Sequence, residues 1–206
     1  MASPRRLTAP AVALTALLLL AGCATETPVE APPVAETPSA PSAEPEPEET
    51  PEVFALPEDC ASLLPAERIA DFETQGLALL GGPGGKYGTD FLADPTPEEE
   101  AGGMTCIWGF DDTDFASVTI SAAPLEPADR AAIVTTLVEQ GLNEAVDGNT
   151  TTYMQQGDPD SQPAIINVLR DDSWISVIET VGGEEFYAEA VLLATEVRGQ
   201  IYTPEG

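Results

Sequence analysis

Histidine is absent from this 206-residue chain, and lysine occurs once, at Lys86. Without imidazole, Ser-His-Asp and Cys-His nucleophilic catalysis are excluded, and so is the commonest side-chain metal ligand. Lys and Arg together number 7 against 36 Asp and Glu. So few cations cannot neutralise a phosphate backbone, which excludes nucleic acid as a partner. An electrostatic grip on anionic lipid is excluded for the same reason. Long apolar runs are also lacking: the most apolar stretch, Ala11 to Ala21, falls short of the ~20 residues of a permanent membrane helix. Carboxylates are what remain for catalysis, as in glycan hydrolysis. With 36 acids in the chain, a close pair is expected by chance. The expectation is therefore a protein that is not an enzyme and carries no cofactor.

The N-terminus holds a positive pair, Arg5 and Arg6, then the apolar run ending in Leu17-Leu18-Leu19-Leu20, then small residues and a cysteine. That layout is a signal peptide spanning residues 1–22. Pro4, Leu7 and Thr8 fit a twin-arginine signal poorly, so ordinary secretion is expected. The tetrad Leu20-Ala21-Gly22-Cys23 matches the lipobox of bacterial lipoproteins. What this resemblance implies is a thioether lipid on Cys23, cleavage before it, and residence on the outer face of the cell membrane. Stable anchorage takes more than one acyl chain.

After cleavage five basic residues remain, Arg68, Lys86, Arg130, Arg170 and Arg198, giving 5 − 36 = −31. Such a charge suits solubility, basic partners or loose association with cations. Residues 23–56 read as a tether. Pro28, Pro32, Pro33, Pro38, Pro41, Pro45, Pro47 and Pro51 block ladder hydrogen bonds. Glu44, Glu46, Glu48, Glu49 and Glu52 repel one another, and almost nothing there can be buried. Its extended reach is on the order of 100 Å, at about 3.1 Å per residue.

Residues 57–206 have the length of one domain. Cys60 and Cys106 form an even pair in an oxidising compartment and are expected to bridge, two separate buried thiols being the alternative. Pro57-Glu58-Asp59 opens a short helix at Cys60, and Pro65 begins another through Ile69 and Phe72. Met104 to Phe110 alternates as a strand, Asp111-Asp112-Thr113-Asp114 turns, and Ala116 to Ala122 returns as its hairpin partner. Pro127 to Gly141 predicts a helix with Ile133, Val134, Leu137 and Val138 on one face. Strands follow at Thr150 to Gln155, Ala164 to Arg170 and Trp174 to Val181. Phe186, Ala190, Leu193, Ala194, Val197 and Ile201 then form a helical stripe. Consecutive strands with short turns imply an antiparallel sheet of about five or more strands flanked by helices, an α+β fold.

Gly81-Gly82-Pro83-Gly84-Gly85-Lys86-Tyr87-Gly88 superficially suggests a phosphate loop. The spacing fails, because Leu80 stands at the first glycine position and Tyr87 where Ser or Thr is needed. The stretch from Gly81 to Gly103 is expected to be a mobile loop with at most a short strand near Tyr87. The acidic turns at Asp111-Asp112-Thr113-Asp114 and Gly157-Asp158-Pro159-Asp160 lack the EF-hand spacing and read as solvated turns, calcium contact being the alternative. Trp108 is expected in the core beside Cys106. Trp174, opening a strand after a turn, is expected to be part-exposed. Together with Lys86 and Tyr87 it forms the candidate contact surface, since aromatic residues dominate binding hot spots.

Cys60-x-x-Leu63-Leu64-Pro65, with Glu67 beyond it, and Cys106-x-Trp108 add a second likeness. With the lipobox and the Pro-rich spacer they resemble a family of small actinobacterial lipoproteins of unknown function. The resemblance implies a Cys60–Cys106 disulfide, a PsbP-like α/β/α sandwich and no catalytic site. The expected function is a membrane-anchored, non-catalytic binding module meeting an envelope protein or cell-wall polymer. A small-ligand or cation-binding lipoprotein comes second, and a carboxylate-dependent extracellular hydrolase third.

Overall fold

The computed structural model describes residues 52–113 and 115–204, all within one compact unit, Pro47–Gly206. Cys23, the signal peptide and the tether up to Pro51 lie outside the described residues. Strand β1 is Glu52–Phe54, followed by a 3-10 turn at Cys60–Ser62, in which the Ser62 amide donates to the Asp59 carboxylate at 3.0 Å. Helix α1 is Ala66–Thr74, entered through Pro65. Then come β2 (Leu77–Gly81), α2 (Pro97–Glu100), β3 (Met104–Phe110), β4 (Phe115–Pro124) and α3 (Arg130–Glu139). The order continues with β5 (Asn143–Asp147), β6 (Thr150–Gln155), β7 (Ala164–Leu169), β8 (Ser173–Glu179), α4 (Glu184–Ile201) and β9 (Tyr202–Pro204).

Seven strands form one antiparallel sheet in the order β2-β3-β4-β8-β7-β6-β5, and β1 pairs with β9 in a second, two-stranded sheet. Helices pack on both faces, so the fold is α+β as the alternation of periods implies. The strand period of two divides every strand between two faces. On one face Cys106, Trp108, Val118, Ile120, Val177 and Ile166 meet the stripe Ala190, Leu193, Ala194, Val197 and Ile201 of α4, with Phe72 of α1 beside Trp108. This is the main core. Burying each large apolar side chain here stabilises by about 1.5–3 kcal/mol. The opposite face carries a smaller core, in which Leu137 of α3 packs with Leu125, Leu142, Tyr153, Leu169 and Trp174.

Cys60 and Cys106 are joined by a disulfide, which pins the N-terminal 3-10 turn to β3. It also explains the glycine-rich segment. Gly82 has φ +97°, and a Cβ there would lie 2.2 Å from the Thr105 carbonyl oxygen and 2.7 Å from the Cys60 sulfur. The chain can pass this close to the bridge only as glycine. Its amide donates to the Gly88 carbonyl at 2.8 Å, closing the segment on itself.

Three expectations are corrected. The stretch from Gly81 to Gly103 contains ordered structure: a 3-10 turn at Gly88–Phe91, and α2, which a Thr96–Glu99 capping box fixes. The strand nearby is Leu77–Gly81, ahead of the glycines, not at Tyr87. The domain boundary at 57 falls inside ordered chain, because Glu52, Val53 and Phe54 pair with Pro204, Thr203 and Tyr202.

Candidate functional site

The candidate contact residues do not converge. Lys86 Nζ lies 2.8 Å from Asp111 Oδ1, in the turn after β3, and 4.9 Å from the centre of the Tyr87 ring. Trp174 pairs with Ala123, near the far end of β4. At about 3.3 Å per residue, the two places are on the order of 25 Å apart. Trp174 is also buried, at 4% exposure, with its indole N–H donating to Asn167 Oδ1 at 2.9 Å. Its strand starts under α3, so the turn before it does not leave the ring in solvent. Trp108 is buried in the main core, as expected.

What Trp174 does line is a cleft of about 570 Å³ on the second face of the sheet, between α2, α3 and the strands. That volume is within the usual range for small-molecule sites. Its apolar walls are Ile133 and Leu137 from α3 and Ile165 and Ile178 from the sheet. The floor is polar, and the register explains why. Thr105 of β3 pairs with Ser121 of β4, Ser121 with Ser176 of β8, and Ser176 with Asn167 of β7. Asn167 in turn pairs with Tyr153 of β6. One polar side chain per strand thus runs across the sheet on the same face. The hydroxyls are linked at one end: Thr96 Oγ1 lies 2.6 Å from Thr105 Oγ1, which lies 2.9 Å from Ser121 Oγ.

Glu98, on α2, closes one side of the cleft at 7% exposure. Burial raises its carboxyl above the ordinary range, while its own amide and the Ser176 and Thr96 hydroxyls pull it back. Its neighbour Glu99 turns away, and its carboxylate accepts from the Thr96 amide at 2.8 Å. Sequence reading missed Glu98, Ser121, Ser176 and Asn167. The available signal was the polar member of each strand alternation, which reads equally well as a solvent-facing side chain.

A second titratable cluster lies on the opposite face, in a 340 Å³ depression between α1, α4 and the end of β8. Arg68 of α1 donates to both carboxylate oxygens of Glu196, at 2.7 and 2.9 Å, and to Glu189 at 2.6 Å. Glu179, the last residue of β8, is buried beside them. Desolvation first, and the Glu189 charge second, push its carboxyl up to about 7, against a smaller opposing pull from Arg68. Here the guanidinium already bridges two helices, which gives this cluster a role in packing.

Among the described residues no group of three or more His, Cys, Asp or Glu could hold a metal ion. Asp158 is engaged in its own turn, accepting from the Asp160 and Ser161 amides at 3.0 Å and from the Ser161 hydroxyl at 2.7 Å. Asp111 is engaged by Lys86. Among the described residues no helix is long and apolar enough to cross a membrane. No protein-family model, curated protein or solved structure matches this chain.

Proposed function

We propose that the protein is a ligand-binding lipoprotein, held on the outer face of the cell membrane by a lipid on Cys23, with the cleft under α2 and α3 as its binding site. The observation that carries this reading is the polar trio Ser121, Ser176 and Asn167 on the floor of the cleft, set among the apolar side chains of Ile133, Leu137, Ile165 and Ile178. Apolar walls supply burial, and a few convergent polar groups supply orientation, which is the usual composition of a small-molecule site. A concave site favours a small ligand over the envelope protein or wall polymer that the contact surface at Lys86 and Tyr87 suggested. Catalysis is not part of this reading: the Glu98 carboxyl reaches the Ser176 and Thr96 hydroxyls, but no cationic side chain lines the cleft to stabilise a developing negative charge.

The test uses the soluble Cys23→Ala chain without its signal peptide. A panel of small amphipathic compounds, covering amines, alcohols, carboxylic acids, acyl sugars and short peptides, is screened by thermal shift and calorimetry. The companion variant is Ala132→Trp, which fills the cleft from an exposed position on α3. At least one compound should raise the melting temperature of the parent, and Ala132→Trp should abolish that shift while remaining folded. Undiminished binding by Ala132→Trp would move the site elsewhere. Chemical turnover of a bound compound would overturn the non-catalytic reading.

A further inference from the structure

We propose that the ligand taken by this cleft carries a protonated amine, seated against Glu98, on an apolar or aromatic body. The proposal rests on the ligand-binding reading above and adds the charge of the ligand. Three observations carry it. The side chains lining the cleft include three carboxylates, Glu98, Glu100 and Asp129, and no Lys or Arg. An anionic ligand would therefore meet only like charge among these side chains, whereas a cation is favoured both by them and by the chain's net charge of −29.

Glu98 is the second observation. It is more than nine-tenths buried, it lines the cavity, and the groups acting on it are the Ser176 and Thr96 hydroxyls, its own amide and the Glu99 charge, with no base among them. A carboxylate out of water needs a cationic counterpart or a proton. Arg68, Arg130, Arg170, Arg198 and Lys86 are the only cations beyond the signal segment, and none lines the cleft. A ligand ammonium would supply the missing charge, with the Ser176 hydroxyl next to it as a further acceptor.

The floor and walls are the third. The Asn167 carboxamide oxygen already accepts from the Trp174 indole, so its NH2 group is left as a donor toward a ligand hydroxyl or carbonyl. Ile133, Leu137, Ile165 and Ile178 take the hydrocarbon or ring. Binding of an ammonium holds Glu98 ionised and releases the proton that burial favours, so amine affinity rises with pH through the titration of Glu98. The charged groups around it are all acidic: Glu99 and Glu100 on α2, and Asp129 before α3.

The experiment is calorimetry on the soluble Cys23→Ala chain at pH 5 and pH 8 with three matched probes: tryptamine, its alcohol analogue tryptophol, and indole-3-acetate. Tryptamine should bind at least tenfold more tightly than tryptophol at pH 8, with the gap narrowing at pH 5, and indole-3-acetate should be the weakest. Glu98→Gln should bring tryptamine down to the level of tryptophol and leave tryptophol unchanged. Removing a buried acid should not unfold the domain, and thermal unfolding checks this. Asp129→Asn, at the cleft mouth, is the second variant and should lower tryptamine affinity only a few-fold. Equal binding of amine and alcohol, both blocked by Ala132→Trp, would overturn the amine proposal and leave the cleft reading standing. An amine preference that survives Glu98→Gln, or binding of none of the three probes, would also overturn the amine proposal. The cleft reading is then judged on the wider panel alone.

Discussion

Glu179 should make this domain more stable in acid than at neutral pH, and Glu179→Gln should remove the share of that dependence which Glu179 contributes. The carboxyl sits at the end of β8, buried between α1 and α4, with its acid strength shifted from an ordinary value near 4.5 to about 7. In the unfolded chain it recovers the ordinary value. Folding therefore favours the protonated form, and its full contribution to stability is present below about pH 4.5. That contribution is lost as pH rises from 4.5 to about 7. At about 1.4 kcal/mol per pH unit, the loss reaches about 3 kcal/mol by pH 8, an upper figure because relaxation and water entry reduce it. For a domain of this size each kcal/mol moves the melting temperature by about 2–4 °C. Glu179→Gln should thus melt several degrees higher than the parent at pH 8 and match it closely at pH 4.5. Denaturant titrations of both proteins at pH 4.5, 6, 7 and 8 give the difference directly. That difference isolates Glu179 from Glu98, whose carboxyl is displaced in the same direction. A variant less stable than the parent at pH 8 would mean that attraction to Arg68 outweighs burial and the Glu189 charge. A difference that stays flat across the series would show that Glu179 is not the titrating group.

Replacing both Cys60 and Cys106 by Ala removes a bridge spanning 46 residues and should cost about 4 kcal/mol in the chain-entropy picture. Denaturant midpoints of oxidised parent and variant measure this, and a loss under about 1 kcal/mol would mean that the reduced chain is already held in place by packing around Trp108. Cys23→Ala, expressed in the native host with its signal peptide, should leave the membrane fraction, and retention there after a high-salt wash would show that the anchor is not a lipid on Cys23.

Local chemistry in the sequence determined much of the fold. The alternation of Met104 to Phe110, the turn after it and the return through Ala116 to Ala122 specify a hairpin without help from elsewhere. The α4 stripe is likewise explicit, because Ala190, Leu193, Ala194, Val197 and Ile201 recur at the helical period and all are buried. The Cys60–Cys106 bridge followed from counting and compartment. Other features depended on partners distant in sequence. Glu52 to Phe54 looks like the end of a proline-rich tether and becomes a strand only because β9 is there to pair with it. Leu77–Gly81 precedes a glycine cluster that reads as loop, yet it is held by β3 as an edge strand. The cleft is the clearest case. Alternation shows that Ser121, Asn167, Trp174 and Ser176 share the face opposite the main core, but period two cannot say whether that face meets water or a helix. Only the return of α3 across the sheet buries Trp174, and only the docking of α2 carries Glu98 to Ser176, from 78 residues away in the chain. The same long-range packing turns a row of hydroxyl and amide groups, individually unremarked in sequence, into the floor of a cleft.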